Sequence, residues 1–119
     1  GGKSKRGVAS ISNSDPEIIK MTMRFFREIC LVPEKKFRGH IHTFSSANVE
    51  KTEKYWSEVT KIPRNQFYKT YTKQSIASKF KRKTTQFGTI DVSVNDIMIY
   101  LKIMAQIEKI KELILPHDA

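Results

Sequence analysis

Apolar and polar positions alternate along residues 8–12, 36–44, 66–74 and 89–94, and recur every three or four residues along three other stretches. That rhythm predicts four strands and three helices in the order β-α-β-α-β-β-α. In 8–12, Ala9 and Ile11 take one side and Ser10 and Ser12 the other. In 36–44, Phe37 and Ile41 point to the core while Arg38, His40 and His42 line the opposite face. In 66–74, if Phe67 belongs to the preceding loop, Tyr68, Thr70 and Thr72 share one face and Lys69, Tyr71 and Lys73 the other. After Gly88, the stretch 89–94 has the cleanest half-buried pattern, with Ile90, Val92 and Val94 set against Thr89, Asp91 and Ser93.

The helices carry start and stop signals. Asp15 can accept from the orphan amides of the first turn, Pro16 fits the first helical position, and Glu17 favours the positive end of the dipole. Ile18, Ile19, Met23, Phe25, Phe26, Ile29 and Cys30 then form an apolar face, and Pro33 stops the helix. Ser45-Ser46-Ala47-Asn48 reads as a turn ending in a cap for a second helix over 49–60. That helix carries Val49, Thr52, Tyr55, Trp56 and Val59 on one side, with Trp56 as a core anchor. Ile62-Pro63 ends it. Asn95 or Asp96 caps the third helix, which runs to about residue 115. Its stripe of Tyr100, Ile103, Ile107, Ile110 and Ile114 packs on the sheet, and Met98, Ile99, Leu101 and Met104 make further sides apolar.

Together these elements imply one α+β domain over residues 1–119: a four-stranded, mostly antiparallel sheet with three helices packed on one face. The other face gathers Ser10, Ser12, Arg38, His40, His42, Lys69, Tyr71, Lys73, Thr89, Asp91 and Ser93. The chain opens on Gly1 rather than a methionine, which fits a piece of a longer protein.

Composition sharpens that picture. With 22 Lys and Arg against 12 Asp and Glu, the chain carries a formal charge of +10. Its pI near 9.8 points to a polyanionic partner. The charge is concentrated, because no acidic residue falls between Glu58 and Asp91 while Lys61, Arg64, Lys69, Lys73, Lys79, Lys81, Arg82 and Lys83 do. Phe67, Tyr68, Tyr71, Phe80 and Phe87 lie among or beside them, and cations with interleaved aromatics suit phosphates together with bases or sugars. Residues 75–83 read as a loop whose Lys79, Lys81, Arg82 and Lys83 clamp the nucleic-acid backbone. Lys3, Lys5 and Arg6 at the start, with Arg38, His40, His42, Lys69, Tyr71 and Lys73 on the sheet, complete the expected contacts. The competing account is a lysine-rich solubilising loop anchored by its aromatics.

Other chemistries have little support. His40 and His42, two apart on a strand, can share a metal, but no Cys, Asp or Glu stands at a recognised spacing to complete the site. No metal, cofactor or catalytic residue is therefore assigned. No catalytic serine or cysteine arrangement, P-loop or dinucleotide fingerprint occurs. Cys30, the single cysteine, sits in an apolar stripe as an inert thiol and fits a reducing compartment. The cations fall in strands and loops rather than along an amphipathic helix, which disfavours a membrane partner. No apolar run reaches membrane-spanning length and no signal-peptide pattern is present, so the reading is cytoplasmic, nucleoid-associated if DNA-bound.

Several stretches together resemble a prokaryotic group with a LAGLIDADG homing-endonuclease-like domain, often following a helix-turn-helix segment. They are Asn13-Ser14-Asp15-Pro16, Tyr55-Trp56-Ser57-Glu58-Val59-Thr60-Lys61-Ile62-Pro63, Gln66-Phe67-Tyr68-Lys69, and Arg82-Lys83 shortly before Phe87-Gly88-Thr89. The resemblance covers most of the chain and implies a half domain whose curved sheet enters the DNA major groove, backed by helices. Such nucleases carry their metal-binding carboxylate on a signature helix just before the first strand, and the halves associate through that helix. Here that position is Gly1-Gly2-Lys3-Ser4-Lys5, with no acid. Hydrolysis with two Mg²⁺ ions needs clustered carboxylates. Asp15, Glu17, Glu28, Glu34, Glu50, Glu53 and Glu58 form no pair, and Asp91 stands alone on the sheet.

The expectation is accordingly a domain that binds duplex DNA without a complete catalytic site; the same chemistry would take RNA. Two alternatives stay open. One is a Mg²⁺-dependent endonuclease completed by an absent N-terminal helix or a second chain. The other is a protein-interaction domain that forms a homodimer through its last helix.

Overall fold

Burial sorts the alternating residues before any other force does. In a computed structural model, which describes residues 8–73 and 86–115, Phe37, Ile41, Ile90, Val92 and Val94 are fully buried on one side of two adjacent strands. Each such side chain stabilises the fold by about 1.5–3 kcal/mol relative to exposure. The strands are β1 (Val8–Asn13), β2 (Phe37–Phe44), β3 (Tyr71–Lys73) and β4 (Thr89–Asn95). They form one sheet in the order β1-β4-β2-β3. β4 pairs antiparallel with both β1 and β2, while β3 runs parallel to β2. The sheet is thus mixed.

Three helices close the apolar side. They are α1 (Pro16–Arg24), α2 (Val49–Thr60) and α3 (Ile97–Ile114). Ile19, Met23 and Phe26, then Trp56, then Ile103, join the strand residues in one core. Asp15 caps α1 by accepting from the Glu17 amide, Asn48 caps α2 by accepting from Lys51, and Asp96 caps α3 by accepting from Met98 and Ile99. Trp56 does more than fill space: its indole Nε1 donates to the Phe87 carbonyl at 2.8 Å. Tyr55 stacks on Phe87 with ring centroids 4.0 Å apart. α2 thereby fixes the approach to β4.

The end of α2 is closed by its own side chains. Thr60 Oγ1 donates to the Trp56 carbonyl and accepts from the Ile62 amide, and Ser57 Oγ donates to the Ile62 carbonyl. Lys61 takes the left-handed conformation, φ 63°, that reverses the chain. The run 55–63 is therefore a packing and capping device.

Three expectations need correction. The apolar stretch after Pro16 does not stay α-helical: Phe25–Ile29 is a π-helical turn, and Leu31 ends it at φ 56°, two residues before Pro33. The wider turn rotates Ile29 off the core, where it is 50% exposed, and Ile18 is likewise exposed. The strand expected over 66–74 shrinks to Tyr71–Lys73, preceded by a 3₁₀ turn at Arg64–Gln66 and a single bridge from Phe67 to Gly39. Tertiary partners override the alternation here. The Gln66 carboxamide donates to the Glu34 and Phe37 carbonyls, and Thr70 Oγ1 donates to Glu53. The Phe67 ring lies over Gly39, where any Cβ would come within 2.8 Å of it. Finally, the α3 stripe does not pack along its whole length. Ile103 is buried, but Ile114 is 72% exposed. An 18-residue helix spans about 27 Å against about 20 Å for the six-residue β1, and the far end of α3 is left exposed at Leu113, Ile114 and Leu115.

Candidate nucleic-acid interface

Because side chains alternate, every apolar residue on the helix side of β2 and β4 leaves a polar neighbour on the other. Cross-strand register arranges those neighbours in three rows. Ser10, Ser93 and Arg38 form the first, and Ser12, Asp91 and His40 the second. Thr89, His42 and Tyr71 form the third. All the core residues of the three helices pack on the reverse, so no described helix covers this side.

The middle of the face is a cluster of rings and a carboxylate. His42 Nε2 lies 2.9 Å from Asp91 Oδ2, and Ser12 Oγ donates to Asp91 Oδ1. The His40 and His42 ring centroids are 4.5 Å apart. Tyr68 meets His40 edge-on at 6.0 Å, and Tyr71 lies 5.7 Å from His42. His40, His42 and Asp91 are each half-buried and can each offer one ligand atom, with these atoms all within 4.8 Å of one another. The third group that chain spacing did not supply is brought by the sheet, since Asp91 pairs directly opposite His40. Asp91 is therefore not isolated.

A hollow lies at each end of the face. One, of about 500 Å³, is lined by Lys35, Lys36, Arg38, Tyr68 and Asn95. The other, of about 410 Å³, is lined by His42, Thr43, Phe44, Tyr71, Lys73, Gly88 and Thr89. Within the first, the Arg38 guanidinium turns back on its own strand and donates to the Lys35 and Phe37 carbonyls. Lys36 pairs with Asp96 at 3.0 Å, and that ion pair with the Ile99 and Met98 amides holds the Asp96 carboxyl below its usual range. Gly88, at φ 69°, lets β4 start close against β2, where a Cβ would fall 2.3 Å from the His42 carbonyl oxygen.

Of the expected contacts, Arg38, His40, His42, Tyr71 and Lys73 share the open side. Lys69 is exposed, but the break in alternation at Phe67–Thr70 takes it out of the Tyr71–Lys73 register, and among the described residues nothing fixes it to this face. Lys3, Lys5, Arg6, Lys79, Lys81, Arg82 and Lys83 lie outside the described residues. Tyr68 and Asn95 were missed: Asn95 Nδ2 donates to the Tyr68 hydroxyl across the face. The signal for Tyr68 was its adjacency to Phe67, since consecutive aromatics on an extended chain point to opposite sides.

Two of the three carboxylates of α2 are engaged elsewhere. Arg64 binds Glu50 and Glu53 together at 3.2 and 2.8 Å, and it holds the Glu50 carboxyl below its usual range. Among the described residues, the metal-capable group of three is His40, His42 and Asp91. No described helix is long and apolar enough to cross a membrane. Comparison with protein-family models, curated proteins and solved structures finds no match to this chain.

Proposed function

We propose that this chain is a duplex-DNA-binding domain related to the LAGLIDADG homing endonucleases, which lays the open side of its sheet against the double helix. The observation that carries the reading is a largely polar sheet face, left uncovered by the described helices and bracketed by basic sequence. The chain enters β1 at Val8 directly after Lys3, Lys5 and Arg6, and leaves β3 at Lys73 before Lys79, Lys81, Arg82 and Lys83. By register, Val8 stands near the Arg38 end of β2 and Lys73 at the Phe44 end, so the two basic stretches attach at opposite ends of the face. Phosphate contacts at the ends and polar side chains between them suit a strand surface set in the major groove. The Tyr68 and Tyr71 hydroxyls supply donors for base edges and sugars.

Fluorescence anisotropy with a short labelled duplex tests this reading. With roughly six to eight phosphates contacted, affinity falls on the order of 10³–10⁵-fold between about 50 and 200 mM salt. Binding that ignores salt, or no binding at low salt, refutes it. A matching RNA duplex in the same assay decides between the two nucleic acids.

A second reading concerns assembly. α3 exposes Met98, Leu101, Leu113, Ile114 and Leu115, with Leu113 79% exposed, an apolar surface of the kind that marks contacts between chains. We read it as a homodimer contact. Light scattering then gives twice the 13.8 kDa chain mass, and Leu101→Glu with Leu113→Glu returns the monomer. A monomer at every concentration removes this reading and leaves the DNA-binding one intact.

A further inference from the structure

We propose that His40, His42 and Asp91 form a binding site for one divalent transition-metal ion, with Zn²⁺ the best match, on the open side of the sheet. Two imidazoles and one carboxylate are the donor types that select zinc and its first-row neighbours, whereas Mg²⁺ and Ca²⁺ prefer oxygen throughout. Zinc bonds of about 2.0–2.2 Å at tetrahedral angles place ligand atoms about 3.4 Å apart. The three donors here already lie within 4.8 Å of one another. Small side-chain adjustments close the remainder.

The surroundings are those of a held site. All three residues sit on paired strands rather than loops, with His40 directly opposite Asp91. Ser12 occupies one oxygen of Asp91 and leaves Oδ2 directed at His42, as an outer partner orients a ligating carboxylate. Tyr68 and Tyr71 flank the two rings and limit their swing. A hydrogen-bonded His42–Asp91–Ser12 chain alone would account for those three residues but not for His40. Among the described residues, neither ring nitrogen of His40 has a hydrogen-bond partner, although the ring stands 4.5 Å from that of His42. Metal ligation gives it one. Three protein ligands leave a coordination position open to water or an anionic oxygen, the arrangement of reactive rather than closed structural zinc sites. The hollow beside His42 carries Lys73, a cation suited to drawing such an anion in.

The test uses the full chain, stripped of metal with a chelator and without DNA, so its outcome is independent of the nucleic-acid reading. Zn²⁺ is titrated by calorimetry, and Co²⁺ by its visible absorption bands. The expected result is saturation at one ion per chain. His40→Ala, His42→Ala and Asp91→Asn should each weaken binding by at least about 10-fold, the scale on which damage to a metal's ligand shell registers. His117→Ala, at the chain's third histidine, should change nothing. Asp91→Asn keeps the side-chain shape, and circular dichroism confirms that each variant is folded before titration. Saturation below one ion, affinity indifferent to the three substitutions, loss on His117→Ala, or equal affinity for Mg²⁺ each overturns the proposal.

Discussion

The two sides of the sheet are built from the same strands yet held by different means. On the helix side, Phe37, Ile41, Ile90, Val92 and Val94 are sealed from water, and dispersion and desolvation fix them. On the open side, His40, His42, Asp91 and Ser12 are held by hydrogen bonds and ring contacts that water can replace. The first arrangement tolerates little change because interiors are close-packed. The second contributes little to folding, which leaves its residues available for binding. Stability and the proposed binding are thus separated by one step of the pleat.

Substitutions can break or sharpen that contrast. The largest effect is expected for Trp56→Ala, which empties a fully buried site and removes the hydrogen bond to Phe87. A loss of about 3–5 kcal/mol in urea unfolding is expected, a large share of the stability of a small domain. Gly88→Ala comes next, because it sits where the two sides meet. Its positive φ and the close His42 carbonyl imply a cost of at least about 1–3 kcal/mol, with metal affinity falling alongside through the displaced His42. Thr43→Val should be neutral or stabilising by about 1 kcal/mol, since Thr43 Oγ1 is buried without a hydrogen-bond partner. His40→Ala, on the open side, should shift metal-free stability by no more than about 0.5 kcal/mol. Should it cost as much as Trp56→Ala, the separation of the two sides is wrong.

Acid sharpens the same point on the periphery. The Glu50 and Asp96 carboxyls are held below their ordinary values of 4.5 and 3.8, by Arg64 and by Lys36 respectively. A depressed carboxyl contributes stability above its ordinary value, and that contribution disappears as pH falls through the depressed one. Thermal melts should therefore drop to lower temperature as pH falls below about 4. Asp96→Asn should flatten part of that slope.

What could be read beforehand followed burial and local signals. α2 occupies Val49–Thr60 as expected, because Asn48 caps it and Thr52, Trp56 and Thr60 repeat at helical spacing toward the core. β2 and β4 were legible from strict alternation. Residues 66–74 were not, because Gln66, Phe67 and Thr70 answer to Glu34, Gly39 and Glu53, partners that no local window contains. The His–Asp cluster was hidden for the same reason: Asp91 reaches His42 across 49 residues of sequence, and only strand register joins them. The stretches that carry the homing-endonuclease resemblance fall largely on the frame, in the α2 cap and the Gln66 brace. The His–Asp cluster belongs to none of them.

Of the described strands β4 is the last in sequence, yet it lies between β1 and β2, which do not pair with each other. A ribosome-bound chain ending before residue 89 has β1 without a strand partner and the β2 edge that β4 will cover still open. Such an intermediate must keep its sticky edges apart until β4 emerges, and closure then joins segments some 79 residues apart, as Ser12 and Asp91 are. Contacts of that span make folding slow for a chain this short. Truncation after β3 should therefore yield not a smaller domain but an aggregating fragment.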